Sequence, residues 1–265
     1  MMAAWVALYG ILVREGLRFL RQRERFLAGL FRPLLWLVVF ASGFRAALGV
    51  AITPPYETYI TYETYILPGL VGMVMLFNGL QTSLSMVHDR ETGAMRMLLV
   101  SPLPRWWLLS AKLLAGTLVS VVQVVLFLAI AWAFDARLPA FGYVAVLPAL
   151  LVVGMMLGAA GLFLSSAIRQ LENFAGVMNF VIFPAFFLSS ALYPLWKIAE
   201  TSPVLAQLSA CNPFTHAVEL IRFALYGRLN ADALAWVAAS LGAFMVLAVW
   251  GYDPARGLLR RRVID

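Results

Sequence analysis

The stretch His88–Lys112, HDRETGAMRMLLVSPLPRWWLLSAK, decides how the rest of the chain is read. It is the longest interruption rich in charge and proline between nearly unbroken apolar runs, and it carries Asp89, Arg90, Glu91, Arg96 and Arg105. A connection between two membrane helices needs only a few polar residues to turn. This one also holds a helical pattern over residues 94–100, with Thr92 placed to cap it through its side-chain oxygen and Pro102 placed to stop it. The apolar face of that short helix, Met95, Leu98 and Leu99, has nothing of its own to pack against in water. The stretch reads as a docking element.

On either side of it the composition belongs to a membrane. The chain has 265 residues, 63% of them hydrophobic and only 12% charged, with a mean hydropathy of +0.87. A soluble domain is about half apolar and a quarter charged. The excess lies in runs long enough to cross a bilayer. They predict one all-α polytopic domain over residues 1–265, with six transmembrane helices at about 32–50, 65–87, 107–134, 143–168, 174–192 and 233–252. A net charge of +7 could suit nucleic acid, but the positive-inside bias of a membrane protein accounts for it. Cys211 is the sole cysteine, which excludes an intrachain disulfide and a thiolate metal cluster, and no metal site is expected. The N-terminus is apolar before it is basic, the reverse of a signal peptide.

Residues 4–27 read as one amphipathic helix. Arg14, Arg18, Arg21 and Arg25 recur at helical spacing, opposite Trp5, Tyr9, Leu12, Phe19 and Leu20, so the helix is expected in the membrane interface with its arginines among lipid phosphates, either as an anchor alone or with its polar side also touching a cytoplasmic partner. Pro33 suits the first turn of the first span. The repeat YETYITYETYIL places Tyr56, Tyr59, Tyr62 and Tyr65 every third residue, an expected aromatic belt at the headgroups where the second span begins. Asn78, Gln81 and Ser85 in the second span, Gln123 in the third and Asn179 in the fifth are candidates either for bonds between helices or for a pathway lining. Gly154, Gly158 and Gly161 allow close packing of the fourth span, and Arg169, Gln170, Glu172 and Asn173 read as a tight polar turn. Residues 193–232 are too polar and too broken by Pro194, Pro203 and Pro213 to span, yet too apolar for a solvated loop. They predict short re-entrant helices, with residues 214–226 helical and Glu219 and Arg222 three apart.

Basic residues set the expected orientation. With both termini inside, fifteen of the twenty lysines and arginines fall on the cytoplasmic side, in the first helix through Arg32, in 88–112, at Arg169 and in the tail. Only Arg45, Arg137, Lys197, Arg222 and Arg228 fall outside. The 88–106 loop then faces the cytoplasm and the 193–232 segment faces out. The chain has no GxxxxGK[ST] phosphate loop, so it is not expected to bind ATP in that manner.

Two segments resemble the permease subunits of ABC exporters of the ABC-2 type. The family stretch ERExGT…LLvsP is matched by Asp89-Arg90-Glu91-Thr92-Gly93-Ala94 and then Leu98-Leu99-Val100-Ser101-Pro102. The family pattern FLSGxxYP…NPxTxxxExxR is matched by Phe187-Leu188-Ser189-Ser190, Tyr193-Pro194, Asn212-Pro213-Phe214-Thr215, Glu219 and Arg222. Ala94 departs from the usual threonine and Ser190 from the usual glycine. The resemblance implies a non-catalytic subunit, without a cofactor of its own, that pairs as a homodimer and docks two copies of a separate cytoplasmic ATPase carrying Mg-ATP. It assigns that docking to Glu91, Thr92, Gly93, Met95, Leu98, Leu99 and Pro102. It makes the external segment, with Tyr193, Pro194, Asn212, Pro213, Glu219 and Arg222, a cap over the outward path. It further implies a multi-pass protein of the bacterial inner membrane in contact with membrane lipids and not nucleic acid, exporting drugs, lipids, glycolipids or polysaccharides. Two other classes stand beside it: an integral membrane enzyme acting on lipids through Cys211, His216 and Glu219, and a non-energised channel or scaffold.

Overall fold

The computed structural model describes residues 2–21, 23–44, 54–56, 60–91, 103–134, 138–168 and 171–252. Among them the chain forms α1 (Met2–Arg21), α2 (Arg23–Phe44), α3 (Tyr62–Glu91), α4 (Arg105–Ala133), α5 (Gly142–Ala167), α6 (Leu171–Phe187), α7 (Leu195–Thr201), α8 (Pro203–Cys211), α9 (Pro213–Leu225) and α10 (Ala231–Gly251).

α3 is the axis of the bundle. In its most apolar eighteen residues 78% are buried, against 17% in α10, so α3 is walled by protein while α10 shows most of its surface outward. α2, α4, α5, α6 and α9 all pack on α3, and α5 reaches on to α4, α9 and α10. Glycine lets the two central helices meet. A methyl group added at Gly79 would lie 2.9 Å from the backbone nitrogen of Gly158, and one at Gly161 would collide with Ser83. In hydrocarbon there is no hydrophobic drive to bring helices together, so such close backbone contact supplies the attraction. α1 lies along α4, with the Trp5 ring edge-on to Trp107 at 6.5 Å.

Among the described residues, four helices are long and apolar enough to cross a membrane: Tyr62–Asp89, Arg105–Ala133, Gly142–Ala167 and Ala231–Gly251. They coincide with the second, third, fourth and sixth predicted spans. The expected spans at 32–50 and 174–192 fall on the shorter apolar segments Gly29–Val39 and Gly176–Phe187. Residues 45–50 lie outside the described residues.

Several boundaries move. The basic helix expected over 4–27 is helical in α1 and the start of α2, with residue 22 outside the described residues, and α2 runs on to Phe44 and packs on α3. Pro33 is therefore interior to α2 and buried, not in a first turn. α3 continues to Glu91, one turn into the predicted loop, and α6 begins at Leu171, which takes Glu172 and Asn173 out of the expected turn and into helix. α6 also stops at Phe187, five residues before the predicted end. The expected short helices of 193–232 are α7, α8 and α9. Proline begins each of them, as N-cap Pro194 or in the first turn at Pro203 and Pro213. Ser202 and Asn212 cap the latter two through their side-chain oxygens.

Candidate functional site

Among the described residues, polar side chains gather at three places along α3. At its C-terminal end Asp89 is buried, its side chain 3% exposed. Lys112 of α4, equally buried, donates to Asp89 Oδ2 at 2.8 Å. Arg14 of α1 donates to Oδ1 at 3.2 Å, and Arg18 stands 3.8 Å from the same oxygen and 3.7 Å from Glu15. One carboxylate thus ties together the end of α3, the start of α4 and the inner face of α1. At 1.5 Å per residue α3 is about 45 Å long against a hydrocarbon core of about 30 Å. The cluster lies near one end of that length, two residues before Glu91 and the 92–102 stretch.

On the basic helix Arg14 and Arg18 reach Asp89, Arg14 with half of its side chain still exposed, while Trp5, Tyr9, Val13, Leu17 and Leu20 are exposed. Arg21 is exposed. The side chain of Arg25 lies outside the described residues, as do the side chain of Glu91 and all of Thr92, Gly93, Met95, Leu98, Leu99 and Pro102.

The second group is a cavity of about 50 Å³ between α1, α3 and α4, lined by Glu15, Arg18, Asn78, Gln81, Ser85, Gln123 and their neighbours. That is room for a few water molecules. Asn78 donates to Gln123 Oε1 at 2.8 Å across the helices. A smaller cavity of about 30 Å³ lies against α2 and shares Asn78 and Gln81. Arg32 lines it, its guanidinium 4.0 Å from the centre of the Phe77 ring. Four of the five candidate pathway residues therefore come together. Asn179 does not; it is exposed on α6.

The third group closes the other end of α3. After α6 the backbone leaves helical geometry from Leu188 to Pro194, and its carbonyls are met by side chains. Tyr62 Oη donates to the Leu192 carbonyl at 3.1 Å and Tyr65 Oη to that of Ser190 at 3.0 Å. Asn212 Nδ2 donates to Ala185 at 2.8 Å and to Leu188 at 2.6 Å, and Arg222 Nη2 to Ser190 at 2.8 Å. Arg222 also pairs with Glu219 and lies 4.2 Å from the centre of the Tyr65 ring. Burial works to strip its proton, but Glu219, Tyr65 and Tyr56 together outweigh this and hold the guanidinium more firmly charged than usual. Irregular backbone survives at membrane depth only when its polar groups are satisfied inside the protein, and here four side chains do so. Tyr193 is partly buried, and Pro194 and Pro213 open the neighbouring helices.

The aromatic belt is overturned by the same contacts. Tyr56, Tyr62 and Tyr65 are at most 4% exposed and face the re-entrant segment instead of the headgroups. Burial pushes the Tyr56 hydroxyl above the ordinary tyrosine value, with Arg222 opposing. The lipid-enzyme constellation does not form. The His216 ring is stacked on Trp236 at 4.8 Å with its Nε2 against the Ala210 carbonyl, Glu219 is engaged by Arg222, and Cys211 is exposed.

The sequence reading missed Asp89 and Lys112 as a pair. The available signal was Lys112 itself, one of only two lysines, buried a turn or two inside an apolar helix where an ammonium needs a counter-ion.

Several long apolar helices packed around a mostly apolar interior define a multi-pass membrane protein. Residues 6–226 match the family model described as ABC-2 type transporter, and the chain belongs to that family. It is 31% identical over 214 residues to a protein of Escherichia coli (strain K12) named as a multidrug ABC transporter permease, YbhR. That alignment covers 79% of this chain and 55% of the other, so the chain spans about half that relative's length. It is 26% identical over 249 residues to transport permease ycf38 of Porphyra purpurea, covering 89% of this chain and 81% of that one. It is 22% identical over 260 residues to Nodulation protein J of Rhizobium leguminosarum bv. viciae, covering 93% and 92%.

Proposed function

We propose that this chain is the membrane-embedded permease of an ATP-driven exporter in a bacterial cytoplasmic membrane, working as two copies with two cytoplasmic ABC ATPase subunits. Mg-ATP belongs to those partners. In this reading both termini and the 88–106 stretch face the cytoplasm, which the fifteen-to-five division of lysines and arginines supports. The ATPase grips Glu91, Thr92, Gly93, Met95, Leu98, Leu99 and Pro102, and its closure moves the C-terminal end of α3. The observation that carries the reading is the Asp89 cluster at the root of that stretch. A displacement there must move α1 and α4 together with α3, because all three share one buried carboxylate.

The cargo is an amphipathic molecule. Asn78, Gln81, Ser85 and Gln123 offer hydrogen bonds without net charge along the cavity wall, and the relatives' names include multidrug transport. Cargo leaves outward past Tyr193, Pro194, Asn212, Pro213, Glu219 and Arg222.

The test is purification through the permease from its native membranes, identification of the ABC ATPase that co-purifies, and efflux of a fluorescent amphipathic dye from vesicles holding the two together. The native pair is expected to move dye only with ATP. Leu98→Asp/Leu99→Asp is expected to lose the ATPase from the purified complex. Full ATPase retention and transport in that variant would refute the docking assignment, and flux without nucleotide or partner would point to a channel.

A further inference from the structure

A groove of about 400 Å³ lies between α5, α9 and α10, well apart from the cavities beside Asn78. It is lined by Ala145, Ala149 and Val152 of α5, Leu220 and Ala224 of α9 and Leu234 of α10. Small side chains make the space: three of those six are alanine, and Gly227 joins the lining where α9 ends. Beside it Phe141, Val144 and Leu229 are 70%, 64% and 71% exposed, so the surface around the groove is apolar as well. Its residues on α5 lie about 5–15 Å from the Gly142 end, and half of a hydrocarbon core is about 15 Å. The groove has the depth of one leaflet.

Among the described residues that line it, only Arg228 is charged. The backbone there is fixed by the end of α9. Gly227 N–H donates to the Ala224 carbonyl at 2.9 Å and Arg228 N–H to the Phe223 carbonyl at 3.0 Å, the paired bonds that close a helix on a left-handed residue. Gly227 supplies that residue, with φ 68°, and a Cβ there would stand 3.3 Å from the Phe141 ring. This turn sets one guanidinium beside an apolar groove. Asp232, exposed in the first turn of α10, does not line it.

Water does not fill a space lined by alanine, valine and leucine. A protein helix, about 10 Å across, would put only about one turn into it. An acyl chain is thinner, and the groove has room for about a dozen groups of water or methylene size, most of one chain. Guanidinium is the side chain best matched to phosphate, through two parallel N–H donors. We propose that the groove binds one phospholipid of this leaflet, the outer one in the orientation proposed above, with an acyl chain between α5, α9 and α10 and its phosphate at Arg228. The chain fills the gap beside α9, which carries Glu219 and Arg222, and so steadies the helix that holds the re-entrant backbone.

The experiment reconstitutes the purified permease, with the partner that accompanies it, in phosphatidylglycerol vesicles holding a trace of the same lipid with a diazirine at mid-chain. After irradiation the adducts are mapped by peptide mass spectrometry. Val246, 68% exposed on α10, is the reference for ordinary lipid contact. Labelling needs neither ATP nor an ATPase, so its outcome is separate from the exporter reading. Adducts at 145–152 and 220–224 are expected at several times the yield at 246; equal yields would overturn the site. Ala224→Phe fills the groove and is expected to abolish those adducts while keeping the one at 246, and the milder Ala145→Leu to lower them. Groove labelling unchanged in both variants would overturn the placement of the chain. Arg228→Gln is expected to lower groove labelling about fivefold, and to leave labelling by a diazirine diacylglycerol, which has no phosphate, as it was. Undiminished phospholipid labelling in Arg228→Gln, or an equal loss with both lipids, would overturn the phosphate contact.

Discussion

Asp89→Asn changes one oxygen to nitrogen and keeps the side chain's volume, so what it removes is charge. Lys112 is then left 5% exposed with an amide in place of its carboxylate. At 2.8 Å and an effective dielectric of about 20 the Asp89–Lys112 attraction is about 6 kcal/mol before desolvation is subtracted. Breaking one side of a buried pair costs about 3–5 kcal/mol. Arg14, half exposed, adds less than about 1 kcal/mol. Asp89→Asn should therefore lower stability by about 3–5 kcal/mol, a large share of the 5–15 kcal/mol that holds a typical domain. Lys112→Met should cost less, because Asp89 keeps Arg14 at 3.2 Å and Arg18 at 3.8 Å. The double variant, with neither charge, should recover most of the loss, because an uncharged replacement of a buried pair is often close to neutral. The assay is a double-mutant cycle in detergent, reading the thermal midpoint of each purified variant beside ATP-driven dye efflux. If the double variant costs the sum of the singles, the two residues are uncoupled and the cluster's energetics are misread. If it is stable and fully active, the charges hold α3 to α4 but transmit nothing.

Three further outcomes follow from the geometry. Asn212→Ala removes donors to the Ala185 and Leu188 carbonyls and the N-cap of α9, and should cost about 2–4 kcal/mol, seen as faster proteolysis within 193–232. Tyr65→Phe loses only the bond to Ser190 and should cost about 1 kcal/mol by thermal midpoint, whereas Arg222→Met strands Glu219 and should cost several times that. Gly79→Leu must push α3 away from Gly158 and should destabilise by more than about 1–3 kcal/mol or prevent assembly, measured as the yield of monodisperse protein.

Helix placement was legible because apolar length and proline spacing are local. α4, α5, α9 and α10 lie within two residues of their expected bounds, and Gly158 and Gly161 make the close contacts their spacing implied. What lay hidden was long-range. Tyrosine every third residue reads the same whether it meets headgroups or Arg222, and only the return of α9 onto α3, some 155 residues later, decides it. The contact of Arg14 with Asp89, 75 residues on, was hidden because Asp89 looked like loop. Ending α6 at Phe187 needed knowledge that Asn212 and Arg222 would take over its carbonyls. Asn78 and Gln123 were recognised singly, and their pairing required the register of α3 on α4.

α3 also behaves as a lever. From Asp89 to Tyr65 it is about 36 Å, so pivoting it by about 5° at the Asp89 end sweeps the tyrosines through about 3 Å. A bond of 3.0 Å to the Ser190 carbonyl does not survive that displacement. Pro68 takes one backbone bond out of the rod, but Gly69 just below it presses directly on Ala191, so the stroke reaches the same loop by contact as well as by hydrogen bond. A movement too small to notice at one end of this helix is thus a whole unlatching at the other.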